Sequence, residues 1–145
     1  MEKIKYISIP LIIIFLLAFI FQTYTQNVDL KKGKELYIEH CSKCHRKDGR
    51  GIKKVYPPLK EADYIKNSNQ IELLRGMLFG RSGSITVNGV TYNGVMITEI
   101  DKSVTDADAA QILNYVYKEL NNMNTVVTVK DVQQARKAGK LPAHK

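Results

Sequence analysis

Both cysteines of the chain fall in one pentapeptide, Cys41-Ser-Lys-Cys44-His45. Thiol and imidazole groups are the usual protein ligands for soft and borderline metals, so the chemistry is to be sought here. Two thiols one helical turn apart can bond the two vinyl groups along one edge of a haem as thioethers. The next residue can then swing its imidazole beneath the iron. Cys-x-x-Cys-His is the sequence signature of this c-type attachment. Other uses of the pair fit less well. A dithiol oxidoreductase places its attacking thiol at a helix N-terminus, whereas this pair follows a predicted helix and no βαβ pattern surrounds it. A structural zinc site needs four ligands. Cys41, Cys44 and one or two of His40, His45 and His144 could serve, but no second ligand pair stands at finger spacing. A disulfide between residues this close is strained. His40 is expected as an exposed helix residue and His144 as a solvated tail residue.

The elements around the motif can be read from pattern. Asp29 can cap a helix from Leu30, with Leu30, Gly33, Tyr37 and Cys41 on one stripe of a 3.6-residue period. Gly33 weakens that helix unless another backbone approaches closely. Residues 46–58 form a loop rich in Gly, Lys and Arg, closed by Pro57-Pro58. A second helix is predicted over Gln70–Phe79 from Ile71, Leu73, Leu74, Met77 and Leu78. Residues 85–92 carry two β-prone arms around Asn88-Gly89, the strongest short hairpin signal. A third helix starts at Thr105, with Asp106 and Asp108 at its positive end, and runs to about Asn121 on Ile112, Tyr115, Val116 and Leu120. A short helix and a basic tail follow over 129–145. The class expected is all-α with one short β-hairpin.

The 145 residues include 22 Lys+Arg and 14 Asp+Glu, and no Trp. Three of the four Phe (Phe15, Phe19 and Phe21) lie in the first 25 residues, so the body has a lean side-chain core that a bound group would help to fill. The length fits one domain and excludes a multi-domain chain. One long apolar run excludes a polytopic membrane protein. Lys3 and Lys5 precede that run, from Ile7 to Phe21, in the order of a secretory signal. At ~1.5 Å per residue it reaches roughly 23 Å, short of a ~30 Å hydrocarbon core. A cleaved signal is therefore favoured over an N-terminal membrane tether, although Thr23 and Thr25 make a poor cleavage site. Either way the body is expected outside the cytoplasm, on the periplasmic side in a bacterium-like cell.

Lys32-Gly33-Lys34-Glu35-Leu36-Tyr37 leading into the haem motif resembles the opening of the small class I monohaem cytochromes c, which are His/Met ligated. Gly49-Arg50-Gly51 is similar to that family's Gly-x-Gly loop, and Tyr56-Pro57-Pro58-Leu59 to its Pro-Pro-Leu turn. Asn93-Gly94-Val95-Met96 resembles its distal-methionine segment. Thr105-Asp106-Ala107-Asp108 with Ile112, Leu113 and Tyr115 resembles its last helix. The likeness covers roughly residues 30–136. It implies three to five helices around one covalently bound haem c. The organisation expected is a signal or anchor over 1–25, a cytochrome c domain over 26–128, and a short helix with basic tail over 129–145.

The sixth iron ligand must come from elsewhere in the chain. Met77, Met96, Met123 and His144 are the main candidates after His45, with lysines and tyrosines weaker. Met77 falls among apolar helix residues and reads as core, and Met123 ends a helix and reads as surface or cap. Met96, in an irregular glycine-containing segment, is favoured by placement, and the family resemblance implies it more strongly. The family usually has Pro after this methionine, and Ile97 stands here. The resemblance further implies that the His45 imidazole is oriented by the carbonyl of Pro57. Leu59, Ile71, Leu74, Leu78, Tyr92 and Val95 are candidate haem walls, and Tyr92 or Arg81 a candidate propionate donor.

Iron with both axial sites filled offers no position to substrate, so the expected work is one-electron transfer, at a potential raised by Met/His ligation. The protein would act as a free carrier or as the cytochrome subunit of a respiratory or oxidoreductase complex. The alternative is a haem enzyme or gas sensor with an open distal site. Lys43, Arg46, Lys47, Arg50, Lys53, Lys54 and Lys60 oppose only Asp48 near the motif, which suggests redox partners with an acidic docking face. Nucleic acid is not expected outside the cytoplasm.

Overall fold

The computed structural model describes residues 27–98, 100 and 103–143. The expected leader helix and His144 lie outside the described residues. The elements are α1 (Leu30–His40), α2 (Ser42–His45), α3 (Asp63–Asn67), α4 (Gln70–Phe79), β1 (Arg81–Val87), β2 (Val90–Met96), α5 (Asp106–Tyr115) and α6 (Val129–Ala138). The short α3 carries too few apolar residues to announce itself in the sequence.

Helix α1 begins where the Asp29 carboxylate accepts the Lys32 amide at 2.9 Å. Its buried face, Gly33 and Tyr37, packs on α5. A Cβ on Gly33 would overlap the Gln111 carbonyl oxygen and lie 3.0 Å from the Tyr115 Cβ. The glycine costs ~1 kcal/mol of helix propensity, and it lets the two backbones cross at close range. Tyr37 and Tyr115 stack obliquely beside the crossing, ring centroids 5.3 Å apart. Buried Gln111 then ties down the chain before α1. Its side-chain oxygen accepts the Asp29 amide at 2.9 Å, and its amide donates to the Asn27 carbonyl at 2.9 Å.

Helix α5 is capped by Thr105, whose hydroxyl accepts the Asp108 amide at 3.1 Å. The third predicted helix has the expected extent, but its last turn, Val116–Leu120, widens to a π-helix. That turn ends at Asn121, which is buried and fully engaged. Its Oδ1 accepts the Ala62 amide at 3.0 Å, and its Nδ2 donates to the carbonyls of Leu59 (2.7 Å) and Val116 (2.9 Å). Helix α6 packs on α4 and α5. Arg75 reaches from α4 to the Gly139 and Lys140 carbonyls at 2.6 and 2.7 Å, covering the C-terminal end of α6.

The hairpin turns at Asn88-Gly89, both at positive φ (49° and 74°), as a type I′ turn requires. Its antiparallel register runs from Val87↔Val90 to Arg81↔Met96. The arms are longer than 85–92, and Met96 is the last residue of β2 rather than part of an irregular loop. The added pairs include Gly83↔Gly94 and Ser84↔Asn93, which have little β-propensity. Pairing, not propensity, extends the strands. Buried side chains of α1, α4, α5, α6 and the hairpin form one apolar cluster.

Candidate functional site

Helix α1 ends at Cys41, and the single turn α2 follows, its His45 amide bonded to the Cys41 carbonyl at 2.9 Å. Cys41 and Cys44 are free thiols. His45 is only 7% exposed. Its Nδ1–H donates to the Pro57 carbonyl at 2.9 Å, which leaves Nε2 with its lone pair for a metal. Burial holds the imidazole below its ordinary pKa and so favours the neutral, ligating form. Burial also pushes the Cys41 thiol up to about 12, the opposite of what an attacking thiolate needs.

The loop after the motif is built to present that carbonyl. The Gly51 amide bonds the His45 carbonyl at 3.0 Å, and Ile52 and Tyr56 exchange backbone bonds of 2.8 Å. Gly51 is left-handed (φ 61°), and a Cβ there would lie 2.6 Å from the Pro57 oxygen. The Gly49 carbonyl accepts the amides of Leu59 and Lys60 at 2.8 and 2.9 Å. The Tyr37 hydroxyl, fully buried, donates to the Arg46 carbonyl at 2.8 Å. The loop is therefore tied at both ends to the turn that carries His45.

Cys41, Cys44, His45, Pro57, Leu59, Tyr92 and Met96 all border one cavity of about 480 Å³. The hairpin register explains the distal contribution. Side chains alternate across a strand, so Arg81, Gly83, Ile85 and Val87 share a face with Tyr92, Gly94 and Met96, and all seven border the cavity. Val95 also borders it. Ile71, Leu74 and Leu78, expected as walls, do not. Leu74 and Leu78 are buried in the core. Helix α4 instead offers Leu73, Gly76 and Met77, the i, i+3, i+4 face, because its opposite face is taken by other elements. Helical period alone marks two apolar faces here and does not say which one meets the cavity. Ile65, Ile112, Leu113 and Val116 are further walls; the sequence marks the last three only as residues of the third helix and does not mark Ile65.

The other candidates divide. Met77 packs against the core and also borders the cavity. Met123 is half-buried against the core, its amide closes the helix end on the Tyr117 carbonyl at 2.9 Å as a cap residue would, and it does not border the cavity. His40 is not the exposed residue expected: its side chain is 15% exposed and lies at the cavity edge. Arg81 is buried, its guanidinium 5.0 Å from the Tyr64 ring centroid. The donor set fits a haem c: two thiols, an imidazole with Nε2 available, thioethers at the same cavity, and walls that are mainly apolar.

A helical shell closed around an apolar cavity, with Cys-x-x-Cys-His at its edge, is the build of a small protein that holds haem covalently. The chain belongs to the cytochrome c family, whose model matches residues 30–118. It is 33% identical over 87 residues to cytochrome c-552 of Thermus thermophilus, covering 58% of this chain and 64% of that protein. It is 26% identical over 108 residues to the cytochrome c subunit of a quinone alcohol dehydrogenase of Gluconobacter oxydans, covering 74% of this chain and 22% of that subunit. It is 28% identical over 119 residues to the fructose dehydrogenase cytochrome subunit of Gluconobacter japonicus, covering 81% of this chain and 24% of that subunit. The chain spans under two thirds of the first relative and about a quarter of the other two. Family membership brings a covalently attached haem c with its iron, matched by Cys41 and Cys44 in the attachment motif, and electron transfer by that haem. Among the described residues no helix is long and apolar enough to cross a membrane.

Proposed function

We propose that this cytochrome c binds its iron axially through His45 and Met96 and passes single electrons between protein partners outside the cytoplasm. The observation that carries the ligand assignment is the hairpin register, by which Met96 shares a face with Tyr92 and borders the same cavity as His45. Haem held here supplies a one-electron Fe(II)/Fe(III) couple. The protein's own residues do the rest. The Pro57 carbonyl orients the His45 imidazole through Nδ1 and makes it a better donor. The soft thioether of Met96 would favour the reduced state of the haem iron and leave no open position for a substrate. Leu59 and Tyr92 line the cavity and limit water.

Lys43, Arg46, Lys47, Arg50, Lys53 and Lys54 are exposed around the motif, and Lys43 borders the cavity. Such a field steers an acidic docking face toward the cavity mouth. The relatives named as dehydrogenase subunits support work within an oxidoreductase complex, and cytochrome c-552 supports a free carrier. The basic, then apolar order of residues 3–21 supports export, with cleavage or a tether at 7–21.

The test is an absorption spectrum of both oxidation states with a redox titration, on wild type, Met96→Ala and Met77→Leu. Loss of the methionine–iron charge-transfer band and a fall in potential in Met96→Ala alone are expected. An unchanged spectrum and potential in Met96→Ala would refute the assignment.

A further inference from the structure

Met96 ends β2, and Ile97 after it lies outside any strand or helix. A methionine with three soft torsions would leave a metal readily unless its backbone were held. The structure holds it from both sides. Before the thioether, Met96 is paired with Arg81 at the open end of the hairpin. Behind it, the Thr98 hydroxyl donates to the Met77 carbonyl at 2.6 Å and accepts the Ile100 amide at 3.0 Å. The Met77 carbonyl belongs to the last turn of α4, where carbonyls lack partners within the helix. One hydroxyl thus joins the open end of α4 to the strand that leaves β2. Gly80 allows the approach: it is left-handed (φ 76°), and a Cβ there would overlap the Met96 carbonyl oxygen and lie 3.6 Å from the Thr98 nitrogen.

Threonine suits the task on two counts. Its hydroxyl both donates and accepts, and its β-branched side chain is stiff about χ1. We propose that Thr98 is the positioning residue for the distal ligand, bridging the Met77 carbonyl and the Ile100 amide so that the backbone of Met96 stays against Gly80 and its thioether stays on the iron. The proposal rests on the reading of Met96 as that ligand, and deepens it. Where a proline after the methionine would stiffen the chain by restricting φ, this chain is stiffened by a side-chain bridge one residue further on.

The experiment uses the holoprotein as wild type, Thr98→Val, Thr98→Ala, Thr98→Ser and Met96→Ala. Two readouts are taken: the intensity of the methionine–iron charge-transfer band of the oxidised protein, and the rate of carbon monoxide binding to the reduced protein. Carbon monoxide enters only when the thioether is off, so its rate follows the population of the methionine-off state. Thr98→Val and Thr98→Ala are expected to weaken the band and speed carbon monoxide binding about fivefold, the size of one lost hydrogen bond. Thr98→Ser, which keeps the hydroxyl, should match wild type in both. Should Thr98→Val not fold, Thr98→Ala against Thr98→Ser decides the same point. Wild-type behaviour of the Val and Ala variants overturns the role of Thr98 and leaves the ligand reading intact. So does a Ser variant that behaves like Ala. A Met96→Ala protein that keeps the band overturns the ligand reading, and the proposal with it.

Discussion

The two sides of the cavity are built by different means. On the His45 side, fewer than twenty consecutive residues make the site: α2, the loop through Gly49 and Gly51, and the Pro57 carbonyl, joined by backbone bonds of 2.8–3.3 Å. His45 is 7% exposed there. On the Met96 side, the place of the ligand candidate depends on a strand register, a helix end and one threonine hydroxyl. A segment closed largely on itself depends little on how distant elements pack. A segment positioned by separate elements can shift by small amounts, and so can set a potential. Under the proposed ligation, the His45 side would hold the haem and the Met96 side would tune it.

The largest effect should come from the attaching side. Cys41→Ala with Cys44→Ala leaves no thioether link, and the denatured protein should carry no haem on a gel stained for covalently bound haem, a complete loss. Gly51→Ala is the subtler way to disturb the same side. Its new Cβ meets the Pro57 oxygen and the Tyr56 carbonyl, so the orienting bond to His45 must move. A destabilisation of about 1–3 kcal/mol in denaturant unfolding is expected, with a fall in potential. An unchanged potential would mean that the two sides do not differ in rigidity as described. Salt tests the surface between them. Electron transfer to the physiological partner should slow by roughly tenfold from low salt to 0.5 M if the exposed basic residues steer encounter. A flat rate removes the steering.

The smallest effect lies away from the cavity, where Lys32 of α1 pairs with Asp108 of α5. The Lys32 ammonium beside it, with the Thr105 hydroxyl, holds the Asp108 carboxyl below the usual carboxylate range. A group with a depressed folded pKa stabilises the fold at pH above its unfolded value, and that contribution is lost as pH falls through the folded one. Asp108→Asn should therefore be slightly less stable than wild type near neutrality. The difference should shrink as pH falls below the ordinary carboxylate pKa and vanish below the depressed folded one, in thermal melts taken across acid pH. A gap that persists at low pH would assign the loss to the cap rather than the charge.

The legible parts of the sequence were those whose signal is local. The haem motif, the Asp29 and Thr105 caps, helix α4 and the Asn88-Gly89 turn each follow from residues within a few positions of one another. Gly33 was legible as a conflict, a helix breaker inside a helix, and the Gln111 backbone resolves it. The face of α4 that meets the cavity was not legible, since Leu73 and Leu74 are equally apolar and neighbours decide between them. Nor was the length of the hairpin, because Ser, Gly and Asn have no strand preference until a partner strand is present.

The amino-acid order by itself determined the cofactor and its attachment, because covalent chemistry needs only the right groups at the right spacing. Only the tertiary structure decided where the Met96 backbone passes and what holds it. Strand register, helix phase and the reach of the Thr98 hydroxyl are relations between segments far apart in the chain, and each is settled when those segments pack.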